Sequence, residues 1–256
     1  MNNQKTILIT GASAGIGEAC AHVFAKNNCR LILTARRADR LEELKRNLEQ
    51  EYNIEVFTLV FDVQNRNEVE TALHSLPNHW RNIDVLINNA GLSLGLEPIQ
   101  NGNVDDWETM IDTNVKGLLY VSKIISSIMI ENNTGHIINL GSIAGKESYL
   151  NGNVYCATKA AVDSLTKSMR LDLLANGIKV TAIHPGAVET EFSIVRFKGD
   201  IERANSVYKG FEPLHPEDIA EVIYFAASRP AHVNINDMLV MPTAQANATT
   251  INRNNN

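Results

Sequence analysis

The chain has 256 residues, of which 44% are hydrophobic and 20% charged, and its formal net charge is −6. This composition is typical of a globular protein with a substantial core, and it offers no basic surface for nucleic acid and no apolar run of the ~20 residues that span a membrane. Cys20, Cys29 and Cys156 lack the spacing of metal ligands, and no apolar signal core precedes the first predicted strand, so we expect a cytoplasmic protein without a metal site.

Short apolar runs of β-type residues alternate with longer stretches of helical periodicity. The predicted strands are Thr6 to Thr10, Leu31 to Thr34, Val56 to Leu59, Val85 to Ile87, His136 to Leu140, Lys179 to Ile183 and Met238 to Met241. Strands that alternate with helices predict a parallel sheet with helices on both faces. We therefore expect one doubly wound, Rossmann-like α/β domain of about seven strands over residues 1–246. The asparagine-rich residues 247–256 are expected to form a loose tail or to pack on a neighbouring subunit.

The first predicted strand leads into TGASAGIGEA, which contains Gly11, Gly15 and Gly17. In a doubly wound sheet the carboxyl end of this strand faces a ligand-binding crevice. Glycines there allow positive φ and a close approach of phosphate to the backbone. A helix that begins near Gly15 offers its first N–H groups to an anion. The loop therefore predicts a pyrophosphate site, although a plain strand-to-helix turn has a similar composition.

Further motifs follow this loop in order: Asn88-Asn89-Ala90-Gly91, Ser142, and Tyr155-x3-Lys159. Together with the Gly-x3-Gly-x-Gly spacing they resemble the short-chain dehydrogenase/reductase family, from about Lys5 to Thr190. The resemblance implies an NADP- or NAD-dependent enzyme with the catalytic group Asn114, Ser142, Tyr155 and Lys159. In isolation, each of these residues is more typical of a surface pair, a turn or a helix cap, and only their occurrence together, in order behind the glycine loop, favours the catalytic group.

Tyr155 and Lys159 lie one turn apart on the same face of a predicted helix. A tyrosine has an ordinary pKa near 10, so a lower pKa is needed for it to take a proton from an alcohol near neutral pH, and a nearby ammonium has the right charge to lower it. The resemblance also implies that Lys159 holds the nicotinamide ribose, that Ser142 contacts the substrate oxygen, and that Asn114 holds a relay water. His184 is expected to be structural.

The end of the second predicted strand, Ala35-Arg36-Arg37, indicates which cofactor binds. An acidic residue there would hold the ribose hydroxyls of NAD, whereas a guanidinium suits the 2′-phosphate of NADP. We therefore expect NADP, with solvent-exposed arginines as the alternative.

The remaining cofactor contacts are implied by the resemblance alone: Gly11, Ser13, Gly15, Ile16 and Gly17 for the phosphates, Asp62 and Val63 for the adenine, Asn89, Ala90 and Gly91 for the central ribose and sheet packing, Tyr155 and Lys159 beside the nicotinamide ribose, and Pro185, Gly186, Val188 and Thr190 for the nicotinamide.

Cations lie among aromatic residues in the segment from Glu189 to Phe211, which favours a small substrate that carries a carboxylate. This segment and the later Arg229 to Ile235 resemble the NADP-dependent 3-hydroxy acid dehydrogenases, which include serine and allo-threonine dehydrogenases. Arg196 is the expected carboxylate ligand, with Lys198 and Arg203 as competitors. The alternatives are a reductase of broad carbonyl specificity, in which Arg196 faces water, and an NADPH-binding regulator without turnover.

Members of this family commonly form tetramers, so the resemblance implies a homotetramer built on the helices from Val115 and from Tyr155. Leu165, Met169 and Leu173 recur every four residues on a face distinct from the catalytic one. Such a face predicts a partner, or burial within the monomer.

Overall fold

A parallel β-sheet forms the centre of the computed structural model, which describes residues 4–254. Within that range the sheet has seven strands: β1 (Thr6–Thr10), β2 (Arg30–Ala35), β3 (Val56–Val60), β4 (Val85–Asn88), β5 (His136–Leu140), β6 (Lys179–Pro185) and β7 (Asp237–Val240). Their order is β3-β2-β1-β4-β5-β6-β7, and every neighbouring pair is parallel. The predicted fold is confirmed, and each predicted strand is correct to within about two residues at its ends.

Helices cover both faces of the sheet. They are α1 (Gly15–Lys26), α2 (Ala38–Tyr52), α3 (Arg66–His74), α4 (Val104–Ile111), α5 (Leu118–Glu131), α6 (Asn153–Asp172), α7 (Phe192–Arg196), α8 (Ile201–Ser206) and α9 (Pro216–Ala227). Several begin at a side chain that satisfies the first N–H groups. The Asn65 carboxamide oxygen, for example, accepts from two N–H groups at the start of α3.

Alternate residues of the central strands pack on opposite faces of the sheet. Ile7 and Ile9 of β1 pack in one cluster with Phe24 of α1, whereas Leu8 packs in another with Val121 of α5. The strands are therefore buried on both faces, which explains why their sequences are continuously apolar rather than alternating. None of the helices in residues 4–254 combines the length and apolarity needed to cross a bilayer.

The order of the strands reverses beside β1, which pairs with β2 on one side and β4 on the other. In a doubly wound sheet, ligands bind at such a switch point, outside the carboxyl ends of the strands. The fold therefore brings the predicted glycine loop and the ends of β4, β5 and β6 to one edge.

The structure corrects the prediction of a loose tail as far as Asn254. The side-chain oxygen of Asn247 accepts from the N–H groups of Thr249 and Thr250. The N–H of Asn252 donates to the carbonyl oxygen of Ala244. Farther on, Asn254 donates its N–H to Gly210 at 2.7 Å. Asparagine favours such turns because its short side chain bonds to the following backbone, so the composition here marks turns rather than disorder. Residues 255 and 256 lie outside the described range.

The second apolar face predicted on α6 packs largely within the chain. Leu173, just after α6, is buried in the cluster that contains Leu8, Met169 packs against that cluster, and Leu165 is half-buried. The alternative of burial within the monomer therefore holds for Met169 and Leu173, so these two residues give no separate support for a tetramer.

Candidate active site

A cleft of about 540 Å³ runs along the carboxyl ends of the strands. It is lined by all of the predicted site residues except Gly17 and Asn114. The fold thus gathers into one site the glycine loop, the arginines after β2, the residues after β4 and β5, the start of α6, and the segment after β6.

The glycine loop has the backbone geometry that its sequence predicts. Gly11 and Gly15 adopt positive φ of 66° and 56°, a conformation that other residues rarely take. A Cβ at Gly17 would collide with the Gly11 carbonyl oxygen and the Asn89 side chain, so Gly17 serves close packing rather than ligand contact. Helix α1 begins at Gly15, where no described side chain caps it, and its first N–H groups face the cleft as an anion site.

Thr10 and Asn89 brace this loop. The Thr10 hydroxyl oxygen accepts the N–H groups of Asn89 and Ala90, each at 3.0 Å. The Asn89 amide in turn donates to the carbonyl oxygens of Thr10 and Gly11 at 2.9 and 3.1 Å. Asn89 therefore ties the end of β1 to the end of β4, a contact of the kind that the resemblance implies when it assigns this motif to sheet packing as well as to the ribose. Thr10 was missed in the sequence, where it looks like any β-branched residue at a strand end.

Arg37 reaches across the cleft mouth to the glycine loop. Its guanidinium donates to the Ser13 hydroxyl at 3.1 Å and to the Ser13 carbonyl oxygen at 3.2 Å. It also pairs with Glu191 at 2.9 Å, and Arg40 pairs with the other oxygen of that carboxylate at 2.8 Å. Arg36 lies 3.5 Å from the Asp62 carboxylate. These cations cluster at the end of the cleft where the sequence predicts the adenosine, and Arg40 was not singled out by the sequence.

The predicted catalytic residues converge at the other end of the cleft. Tyr155, near the start of α6, is 8% exposed and stacks obliquely on Phe192 at 5.6 Å between ring centroids. Ser142 follows β5 and is also buried. The Lys159 ammonium donates to the Leu140 carbonyl oxygen at 2.8 Å.

The electrostatics of this group differ in one respect from the prediction. Burial raises the pKa of Tyr155 above its usual range, and the neighbouring Tyr149 phenol adds to the effect. Among the described residues, the Ser142 hydroxyl and the Arg196 guanidinium act to lower the pKa of Tyr155. Burial also lowers the pKa of Lys159 to about 8. The net direction of the Tyr155 pKa is therefore opposite to the predicted one, and the Lys159 ammonium donates to the Leu140 carbonyl oxygen at the end of β5.

Asn114 lies in a π-helical turn over residues 112–117, between α4 and α5. Its side chain accepts from the Leu92 N–H at 2.9 Å and donates to the Leu92 carbonyl oxygen at 2.8 Å and to the Thr158 hydroxyl at 3.0 Å. The irregular turn thus directs the amide between the segment after β4 and helix α6. Such π-turns are frequent at functional sites.

Arg196, at the end of α7, lies against the catalytic tyrosine. Its guanidinium carbon is 5.5 Å from the Tyr149 ring centre and 5.9 Å from that of Tyr155. The Nε donates to the Gly95 carbonyl oxygen at 3.1 Å, and Gly95 returns its N–H to the Arg196 carbonyl at 3.0 Å. The Nη2 atom is buried and has no hydrogen-bond partner among residues 4–254.

The two competing cations are engaged elsewhere. Lys198 forms an ion pair with Asp106 at 2.8 Å, and the Arg203 guanidinium lies over the Phe197 ring at 4.3 Å. Neither lines the cleft that the described residues form, whereas Arg196 does.

The C-terminal segment closes the cleft beside the residues that follow β6, which the sequence did not predict. Gln245 is buried, and the oxygen of its side-chain amide accepts a hydrogen bond from the Ala187 N–H at 2.8 Å. Ala248 and Ile251 also line the cleft. A lone glutamine near the chain end gives no sequence signal for this contact.

Comparisons with known proteins agree with the geometry. The family model for short chain dehydrogenases matches residues 5–200. The NADP-dependent 3-hydroxy acid dehydrogenase YdfG of Salmonella typhi is 50% identical over 241 residues, which cover 94% of this chain and 96% of the relative. Sulfoacetaldehyde reductase 2 of Chromohalobacter salexigens is 45% identical over 241 residues, with 94% and 95% covered.

A solved structure, the closed form of serine dehydrogenase complexed with NADP+, is 47% identical to this chain with a TM-score of 0.90. The match covers 97% of this chain and 99% of that one. The predicted resemblance to the 3-hydroxy acid dehydrogenase branch is confirmed. The chain belongs to the short-chain dehydrogenase family.

Proposed function

We propose that this chain transfers a hydride between NADP and the hydroxyl-bearing carbon of a small 3-hydroxy acid, such as serine, allo-threonine or 3-hydroxypropionate. The observation that carries the proposal is the Arg196 guanidinium beside the Tyr155 ring: its charge acts on the neighbouring Tyr149 phenol, and its buried Nη2 has no acceptor in hydrogen-bond geometry among the described residues. A buried guanidinium nitrogen without an acceptor is costly, so this position favours a ligand that supplies a carboxylate oxygen.

The site also fits the cofactor. The glycine loop and the start of α1 offer backbone N–H groups to a pyrophosphate, and Arg36 and Arg37 offer guanidinium groups to a 2′-phosphate. Arg36 and Arg37 stand directly after β2, where an acidic residue would repel that phosphate, and Asp39 lies farther on, in the first turn of α2. When bound, the nicotinamide supplies the hydride acceptor or donor.

The residues of this chain then handle the proton and the orientation of the substrate. In reduction, Tyr155 donates its phenolic proton to the carbonyl oxygen while the carbon gains a hydride, and the raised pKa of Tyr155 favours this protonated form. In oxidation, the Tyr155 phenolate accepts the hydroxyl proton while the carbon loses a hydride. Ser142 donates a hydrogen bond to the same oxygen. Arg196 holds the carboxylate, and Lys159 orients the nicotinamide ribose. Asn114 anchors α6 and is suited to hold a relay water near Thr158.

Oxidation of serine at its β-carbon gives a 3-oxo acid, aminomalonate semialdehyde, which can lose carbon dioxide. Malonic semialdehyde and 3-hydroxypropionate form a related pair. A second candidate is sulfoacetaldehyde, the substrate named for one relative. Its sulfonate lies one carbon from the aldehyde, where malonic semialdehyde has its carboxylate, so the same guanidinium suits both anions.

The test is a panel of substrates followed at the nicotinamide absorbance, with NADP for alcohols and NADPH for aldehydes. We expect kcat/KM for 3-hydroxy acids to exceed that for uncharged alcohols of equal length by about 30-fold or more, which corresponds to about 2 kcal/mol. Equal rates would support a broad carbonyl reductase. Cofactor binding without turnover of any member would support the regulator. A preference for sulfoacetaldehyde over malonic semialdehyde would select the second candidate.

We further propose a homotetramer in the cytoplasm. Family resemblance supports the tetramer, and three unpaired, buried cysteines suit a reducing compartment. Light scattering at micromolar concentration should give four times the mass of 28.3 kDa. A monomeric mass would contradict the assembly.

A further inference from the structure

A cluster of charged side chains lies directly behind the proposed catalytic serine. It consists of Lys146 after β5, Asp163 on α6, His184 on β6 and Asp237 on β7. The Lys146 ammonium contacts the Asp163 and Asp237 carboxylates at 2.9 and 2.6 Å. His184 Nε2 lies 3.1 Å from the Asp237 carboxylate and 3.4 Å from that of Asp163. The imidazole is fully buried.

This arrangement determines which imidazole nitrogen carries the proton. Nε2 faces two carboxylates, which only accept hydrogen bonds, so Nε2 must carry a hydrogen and donate it. Burial lowers the pKa of His184, and this favours the neutral ring. Nδ1 is then unprotonated. Nδ1 contacts the Ser142 main chain at two atoms, the nitrogen at 3.3 Å and the carbonyl oxygen at 3.2 Å. In the ring protonated at Nε2 alone, Nδ1 carries no hydrogen, so it accepts from the Ser142 N–H and does not donate to the carbonyl oxygen.

The ring also packs against the residue before the serine. A Cβ on Gly141 would overlap the His184 ring, so the end of β5 lies in direct contact with the imidazole face. Ser142 has extended backbone, with φ of −174°, and its hydroxyl oxygen accepts the Ala144 N–H at 3.1 Å. The main chain of Ser142 is therefore held by His184 on one side, and its side chain is held at the start of the next turn.

We propose that His184 is a positioning residue, which fixes the main chain of Ser142 and so the direction in which the serine hydroxyl points at the substrate oxygen. The carboxylates of Asp163 and Asp237 hold the ring in the tautomer that can accept from Ser142. This inference rests on the catalytic role of Ser142 proposed above.

The geometry of Asp163, His184 and Asp237 is also compatible with a metal ion, since their ligand atoms lie within 4.8 Å of one another. Lys146 occupies the place of that cation, and Lys167 also pairs with Asp163 at 2.7 Å. Two ammonium groups and two carboxylates balance in charge around a neutral imidazole. The ion pairs of this cluster therefore hold the imidazole ring of His184 in one orientation.

Two substitutions of His184 separate positioning from simple packing. The amide oxygen of His184→Asn can take the place of Nδ1 and accept from Ser142, but this side chain is too short to reach Asp237. The amide of His184→Gln can donate to Asp237 in place of Nε2 but leaves the Ser142 N–H without its acceptor. Both variants lose one hydrogen bond and part of the ring volume. We expect similar losses of thermal stability.

Their activities should differ. We expect His184→Gln to lower kcat about 10- to 100-fold with little change in the Kd for NADP, because a displaced hydroxyl affects the reacting geometry. His184→Asn should keep kcat within about threefold of the parent. His136→Asn is the matched control, since His136 is a buried histidine on β5 that bonds to Thr181 away from the cleft. Its kcat should match the parent. Equal losses of kcat in the two His184 variants, or a larger loss in His184→Asn, would overturn the proposal.

Two measurements keep the proposal testable if a variant fails to fold. Nitrogen-15 NMR of the unsubstituted enzyme should show His184 as the neutral tautomer protonated at Nε2, and protonation at Nδ1 would overturn the inference. Ser142→Ala should abolish turnover. If Ser142→Ala stays active, the catalytic role of Ser142 fails; if it is inactive while both His184 variants behave alike, only the positioning role fails.

Discussion

The two ends of the cleft are built in different ways. At the cofactor end, the glycine loop is tied by the Thr10 hydroxyl and the Asn89 amide to the ends of two central strands. At the proposed substrate end, the wall is formed by α7, which has five residues, and by Val207 and Tyr208 just after α8, which has six. Ile194 of α7 and Ile201 of α8 are 39% and 61% exposed. Polar contacts such as that between Arg196 and Gly95 hold this wall.

The difference shows how one fold can keep its cofactor and change its substrate. Residues in the buried sheet are constrained by packing on both faces, so a substitution there affects the whole domain. Short helices on the rim are held by individual side chains, so a single change alters the shape or charge of the substrate end. Tyr155, the proposed acid and base, lies where the two parts meet.

The largest effect is expected at that meeting point. Tyr155→Phe removes only the transferable proton, so kcat should fall at least about 1,000-fold while the Kd for NADP changes by less than about twofold. Steady-state kinetics and fluorescence titration measure the two quantities. Lys159→Ala should damage both, because Lys159 is proposed to hold the cofactor as well. Normal turnover by the phenylalanine variant would show that the acid/base assignment is wrong.

The cofactor end should respond to charge alone. Changing both Arg36 and Arg37 to neutral residues should weaken NADP binding by about 2 to 4 kcal/mol, or about 30- to 800-fold in Kd. Binding of NAD should change much less, since NAD has no 2′-phosphate and is affected only through the lost Arg37 contacts to Ser13 in the glycine loop. Arg66→Gln, on the exposed face of α3, is a control for loss of surface charge. If the unsubstituted enzyme binds NAD as tightly as NADP, the proposed preference is wrong.

The substrate end should depend on the C-terminal segment. Arg253 donates to the Val207 carbonyl oxygen at 3.0 Å, and Asn254 donates to Gly210, so residues 247–254 hold the segment after α8. Removing residues 247–256 should lower kcat/KM for a 3-hydroxy acid about tenfold, or about 1.4 kcal/mol, and leave the Kd for NADP within about twofold. A larger effect on NADP than on the hydroxy acid would contradict the division between the two ends.

A smaller effect concerns stability. Because burial lowers the pKa of Lys159 to about 8, the unfolded chain binds more protons than the folded one between about pH 8 and pH 10.4. The free energy of unfolding should therefore rise with pH across this window. Below pH 8 the folded protein carries the full cost of burying the Lys159 ammonium. Lys159→Met removes that cost but also the bond to Leu140, so the net gain at pH 7 should be about 1 to 2 kcal/mol.

This gain should shrink towards pH 10, where the lysine is already largely neutral. Thermal unfolding at pH 7 and pH 10 measures it. Lys167→Met, on the exposed side of α6, is a control whose effect should not follow this pH dependence. An equal loss of stability at both pH values would show that Lys159 carries no burial cost.

The sequence predicted the cofactor end better than the substrate end, for a physical reason. Gly11 and Gly15 are needed by local backbone geometry, which a short motif records. The strands were predicted because parallel strands buried on both faces are continuously apolar. By contrast, Gln245 and Thr10 act through contacts with residues 58 and about 80 positions away, and single residues carry no signal of such contacts. The tail was mispredicted because asparagine is typical of both disorder and tight turns.

The substrate end was predicted only in part. Charge and position in the sequence drew attention to three cations near α7, but they could not show which of them faces the cleft. Only the packing of Arg196 between Gly95 and the tyrosine rings, and the pairing of Lys198 with Asp106, separates them.

The central claim is that Arg196 recognises the substrate anion, and one comparison tests it most directly. Michaelis constants are measured for 3-hydroxypropionate and for the uncharged 1-propanol in the parent enzyme, in Arg196→Ala and in the matched control Arg203→Ala. We predict that Arg196→Ala raises the constant for the acid by a factor equivalent to about 2 to 4 kcal/mol, with a smaller effect on the alcohol, while Arg203→Ala changes neither. An equal loss on both substrates in Arg196→Ala would mean that the arginine only orders the segment, and no loss on either would contradict the account.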